Sequence, residues 1–133
     1  MCLTAGKFKT RQQARDAAKE PLIAKKAFTV YKVLMKNNKS PYQWYQYHPG
    51  VNLSAEKFTS TVDVRERGSN RWHLEINKGL HAMATELDAK KKRAQLNDGN
   101  SNHKIVEFIV PAGTPYFLSD DKKEVVSLKL NWK

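Results

Sequence analysis

Cysteine is nearly absent from this chain. The single one, Cys2, excludes an internal disulfide framework, and nothing calls for an oxidising compartment. Long hydrophobic runs are absent too. No stretch approaches the roughly 18 apolar residues of a membrane-spanning helix, so no membrane association is expected. The opening Met1-Cys2-Leu3-Thr4-Ala5-Gly6-Lys7 lacks the apolar centre of a secretory signal, which points to the cytoplasm. There is no P-loop, dinucleotide fingerprint or nucleophile elbow. One cysteine and four histidines (His48, His73, His81, His103) do not make a standard metal site, so no metal is expected. Acidic residues are scarce: 13 Asp and Glu stand against 24 Lys and Arg, a formal net charge of +11.

What is present fits one folded domain over residues 1–133. The length supports a modest core, and 40% hydrophobic residues argue against wholesale disorder. The positive charge is uneven. Residues 1–50 hold ten Lys or Arg (Lys7, Lys9, Arg11, Arg15, Lys19, Lys25, Lys26, Lys32, Lys36, Lys39) against Asp16 and Glu20, a net of +8. Such a field attracts polyanions and speeds their encounter. The bland alternative is solubility alone, which would not require clustering.

The chain reads as α+β: a compact, mainly antiparallel β-sheet with one main helix at about 86–96 and a short N-terminal helix. The organising stretch is the last third. His103–Val110 is a strand with one face buried and the other partly covered. Pro111-Ala112-Gly113-Thr114 stops its ladder, because proline has no N–H to donate and glycine permits positive φ. Val126, Leu128, Leu130 and Trp132 alternate with polar neighbours, which predicts one C-terminal strand with a single apolar face.

Upstream, Thr10 and Gln13 form a capping-box pattern before Ala14, Ala17 and Ala18, predicting a short helix over Thr10–Lys19. Its apolar stripe is small, so residues 1–20 read equally as a mobile basic arm. Leu22-Ile23-Ala24 reads as a short turn. Ala27–Lys36 reads as a strand in which Phe28, Val30 and Leu34 share a face interrupted by Lys32. Tyr42, Trp44, Tyr45 and Tyr47 concentrate aromatic rings before Pro49-Gly50. Residues 51–70 are weakly patterned, and Arg65 to Arg71 reads as an exposed basic hairpin loop. Trp72, Leu74 and Ile76 alternate with His73 and Glu75, which predicts a strand with those two on its exposed face. Thr85 and Asp88 cap the main helix, whose predicted buried stripe is Leu87 and Ala94. Residues 97–102 read as a loop.

The candidate ligand-binding residues are Trp44, Tyr45 and Tyr47 as a stacking surface, Arg65, Arg67 and Arg71 with Lys91 and Arg93 as phosphate contacts, and His81 as a directional hydrogen-bond donor. Each has a plainer reading: rings that cover the core, a solvated helix face, a structural histidine. His73 and Glu75 are two apart and share a strand face, but no further ligand joins them.

Met1-Cys2-Leu3, Val30-Tyr31-Lys32-Val33-Leu34, Ser40-Pro41-Tyr42, Gly79-Leu80-His81-Ala82, Ile109 to Tyr116 and Glu124-Val125-Val126-Ser127 occur in an order that resembles small accessory proteins of tailed bacteriophages. The resemblance implies a role inside an infected host cell, such as host takeover or anti-defence. The order of pieces also loosely resembles ADP-ribosyltransferase-like folds. That resemblance implies NAD as cofactor and Tyr31, His81 and Glu124 as catalytic residues.

The preferred expectation is a non-enzymatic module, without a cofactor, that binds an anionic partner: nucleic acid, a nucleotide signal or an acidic host protein. An NAD-using enzyme and a virion or assembly component are the alternatives. Monomer and homodimer both fit.

Overall fold

A computed structural model describes residues 3–39, 46–63, 72–96 and 103–133. The elements in order are β1 (Leu3–Phe8), α1 (Arg11–Ala18), β2 (Leu22–Ile23), β3 (Phe28–Met35), β4 (Asn52–Ser54), β5 (Thr59–Asp63), β6 (Trp72–Lys78), β7 (Leu80–Met83), α2 (Glu86–Leu96), β8 (His103–Val110), β9 (Pro115–Leu118), β10 (Glu124–Ser127) and β11 (Lys129–Trp132). The fold is α+β and mostly antiparallel. One sheet has the order β1-β6-β5, and the other β2-β9-β10-β7-β3-β8-β11-β4.

The spine of the larger sheet is β3 against β8, paired without a break from Phe28↔Val110 to Met35↔His103. Residues of even number on β3 (Phe28, Val30, Leu34) meet Phe108 and Val110 in the main core. That sheet bends back on itself. Phe28 and Tyr116 lie on strands three places apart, yet their ring centroids are 5.2 Å apart. Tyr47 and Trp132 close on Phe108 from two sides, with centroids at 5.9 and 5.1 Å and edge-on geometry. Such ring pairs add roughly 1 kcal/mol each beyond the area they bury.

A second core lies on the outer face of β9 and β10. Phe117 and Val126 pack there against Leu3, Leu74 and Ile76 of the smaller sheet. Strand β10 is therefore buried on both faces: Val125 belongs to the first core and Val126 to the second. The predicted single C-terminal strand is corrected accordingly. It divides at Leu128, which separates Val126 from Leu130 and Trp132 and sends them to different cores.

Both helices start where the hydroxyl caps predict. The Thr10 hydroxyl accepts from the Gln13 amide at 3.1 Å, and the Thr85 hydroxyl accepts from the Asp88 amide at 3.1 Å. The buried stripe predicted for α2 is corrected. Leu87 is 62% exposed and Ala94 is exposed, whereas Ala89 is fully buried. A methyl side chain lets α2 lie close on β3 and β8, which a leucine at that point would prevent. His73 and Glu75 are also corrected: each is 8% exposed, not on an open strand face. Strand β1 was not expected. No helix among the described residues is long and apolar enough to cross a membrane.

Candidate functional site

A cleft of about 600 Å³ opens between α1 and β5, the edge strand of the smaller sheet. Its wall is helical: Arg11, Gln12, Arg15, Ala18 and Lys19. Its other side is Ser60, Thr61 and Val62. The sequence makes this wall in two steps. Ala14, Ala17 and Ala18 put the small side of α1 against the sheet, with Ala14 fully buried. Arg11, Arg15 and Lys19 recur every four residues, so they follow one another along the same side of the helix. No carboxylate is among the lining residues. Asp16, the acid within the helix, accepts from the Gln12 side-chain amide at 2.8 Å.

Arg11 is fixed at the mouth. Its guanidinium lies 5.8 Å from the centroid of the Trp72 ring. A cation over an indole face keeps its charge and its outward donors, so Arg11 is oriented rather than neutralised. The arrangement offers two guanidiniums, an ammonium and the Ser60 hydroxyl to an anion, while the Thr61 hydroxyl accepts from the Asn77 side-chain amide.

Of the predicted binding residues the described structure places Tyr47, His81, Lys91 and Arg93. Trp44, Tyr45, Arg65, Arg67 and Arg71 lie outside the described residues. Tyr47 is 7% exposed and packed on Phe108, so its ring is a core surface and not a stacking platform. Lys91 is exposed and Arg93 partly so, both on α2 away from the cleft lining. Sequence reasoning counted Arg11, Arg15 and Lys19 in the basic half but did not single them out. Their four-residue spacing was the available signal. The facing strand, Thr-Ser-Thr-Val-Asp, carries almost no apolar pattern to announce it.

A second polar cluster sits where β7 leaves β3. These strands share one pair, Tyr31↔Met83. Beyond it the Lys32 ammonium donates to the main-chain carbonyl of His81. Lys32 points to the main-core side of β3, 5.3 Å from the centroid of the Tyr47 ring. Part of its side chain reaches solvent, but the ammonium is enclosed, and burial lowers its pKa to about 8. The His81 imidazole is held down to about 4, first by burial and then by the Lys32 charge. Its Nε2 is buried without a hydrogen-bond partner. At neutral pH this imidazole is therefore uncharged. Glu124 pairs with Met83 from the other side, and burial raises its pKa. Among the described residues no three His, Cys, Asp or Glu gather as a metal site.

Fold and cleft together define a class: a basic α+β protein with a groove lined by cations on its smaller sheet. The chain matches no known family model, no curated protein and no solved structure.

Proposed function

We propose that this protein is a non-enzymatic module that binds a polyanionic partner in the α1–β5 cleft. One observation carries the reading: Arg11, Arg15 and Lys19 line a single recess with the Ser60 and Thr61 residues opposite and no acid among the lining residues. The net charge of +11 adds long-range attraction to that local site. The resemblance to tailed-phage accessory proteins supports a partner met inside an infected cell. Calorimetric titration with inorganic polyphosphate tests the reading. The triple variant Arg11→Ala/Arg15→Ala/Lys19→Ala should lose at least roughly tenfold in affinity, since charge-assisted contacts carry such binding. If the α2 variant Lys91→Ala/Arg93→Ala loses binding and the cleft variant keeps it, the site is elsewhere.

A second reading, nucleotide chemistry with NAD, has one observation in its favour. Tyr31 and Glu124 both stand opposite Met83, and His81 is two residues along β7, so all three project from the same sheet face. Perturbed titration of His81 and Glu124 on one face is a recognised mark of reactive sites. NAD turnover abolished in Glu124→Gln and His81→Ala would establish it. Intact NAD after incubation with the wild-type protein would end it.

A further inference from the structure

Building on the polyanion reading, we propose that the α1–β5 cleft takes the sugar–phosphate backbone of a single nucleic-acid strand, with Arg11, Arg15 and Lys19 each meeting one of three successive phosphates. The geometry of the helix sets the spacing. Four residues advance about 6 Å along the axis, so the three cations span roughly 12 Å. The adjoining phosphates of a small mono- or diphosphate are too close together to satisfy all three. A chain whose charge repeats along its length does so without strain.

The lining also says what is not read. Among the described lining residues the side-chain amide is that of Gln12, and it is tied to Asp16. Arg11 rests on Trp72, which holds it in place. Ala18 and Val62 are apolar, and no ring is among the lining residues. These are contacts that position a backbone, not contacts that identify a base.

The borders favour one strand over two. The positive line is one helix wide. Asp16 and Glu20 stand exposed on and just beyond α1. A duplex presents two backbones on either side of a groove and needs cations across that wider footprint. Here Asp16 and Glu20 border the helical line, so a second backbone on that side would meet repulsion.

Fluorescence anisotropy with labelled oligonucleotides, read over a series of salt concentrations, tests this. Oligo(dT) of six nucleotides should bind with a log–log salt slope of about −2, from three phosphates at about 0.7 each for single strands. Arg15→Ala should flatten the slope to about −1.4 by removing one contact. Oligo(dA) of the same length should bind within about threefold of oligo(dT), because no base edge is contacted. A blunt duplex of the same length should bind at least roughly tenfold more weakly. Equal or tighter duplex binding, or a tenfold preference between homopolymers, overturns the single-strand assignment while leaving the polyphosphate result standing. Loss of polyphosphate binding itself would remove the reading underneath.

Discussion

The molecule handles cations in two opposite ways. At the α1–β5 cleft three of them line an open recess, and a Trp face steadies one. At the β3–β7 junction a single ammonium, Lys32, is turned inward beneath the sheet with a carbonyl and a phenol ring for company. No carboxylate pairs with it among the described residues. The first arrangement costs little, because water and the indole face still solvate the charge. The second costs the desolvation of an ammonium, partly offset by one charge-assisted hydrogen bond. A cation kept in the open is available to a partner. A cation held inside, where a strand ladder stops after one pair, completes the backbone's hydrogen bonding instead.

The junction should dominate the acid limb of stability. The His81 imidazole has a pKa of about 4 in the fold against 6.5 when unperturbed. Above pH 6.5 it is neutral in both states and contributes nothing. As the pH falls from 6.5 towards 4 the unfolded chain takes the proton first, so stability is lost over that window. The loss is up to roughly 3 kcal/mol at 1.36 kcal/mol per unit. Urea denaturation between pH 7 and 4 reads it, and His81→Phe should flatten the curve there. An unchanged pH profile in that variant would place the acid sensitivity in other groups.

Lys32 gives the next largest effect, with stability also rising as pH rises. Its pKa is about 8 in the fold and 10.5 unperturbed. Below pH 8 the folded state bears the full cost of the buried charge. Between 8 and 10.5 the unfolded chain holds more protons, and stability climbs. That cost is roughly 3 kcal/mol, and the hydrogen bond to His81 returns about 1. Lys32→Met should therefore stabilise by about 2 kcal/mol at pH 7 and destabilise by about 1 kcal/mol above pH 10.5, where only the lost hydrogen bond counts. Destabilisation at pH 7 would mean that the bond to the His81 carbonyl outweighs desolvation. The same variant should also move the His81 titration upward, because it removes a nearby positive charge.

Much of this was legible in the residues. Lys32 was visible as the break in the Phe28–Val30–Leu34 face, and the fold keeps it on that face. The α2 limits and both hydroxyl caps follow from local chemistry alone. Strand β1 was hidden for a definite reason. Its register shifts between Thr4 and Gly6, so Leu3 and Phe8, of opposite parity, both reach the second core. The period of two is lost in the sequence although the strand is intact. Gly6 is part of the same device: a Cβ there would come within 2.8 Å of the Phe8 ring. The cleft was half legible. Its helix shows a repeating cation, but its other wall is a polar edge strand with nothing to distinguish it from a loop.

The smallest effects sharpen the contrast between the two cation sites. Thr10→Ala removes the cap of an eight-residue helix and should cost about 1 kcal/mol in urea denaturation. It should weaken polyphosphate binding as well, because Arg11 is the first residue after the cap. Arg15→Met then repeats, at the open site, the replacement of a cation by methionine made at Lys32. Arg15 is exposed and lines the cleft, so its charge was never desolvated. Stability should stay within about 0.5 kcal/mol of wild type at every pH, while polyphosphate affinity falls. If Arg15→Met stabilises as Lys32→Met does, the cleft is not a place where charge sits at ease. The distinction between a cation held for a partner and a cation held by the fold would then have no physical basis.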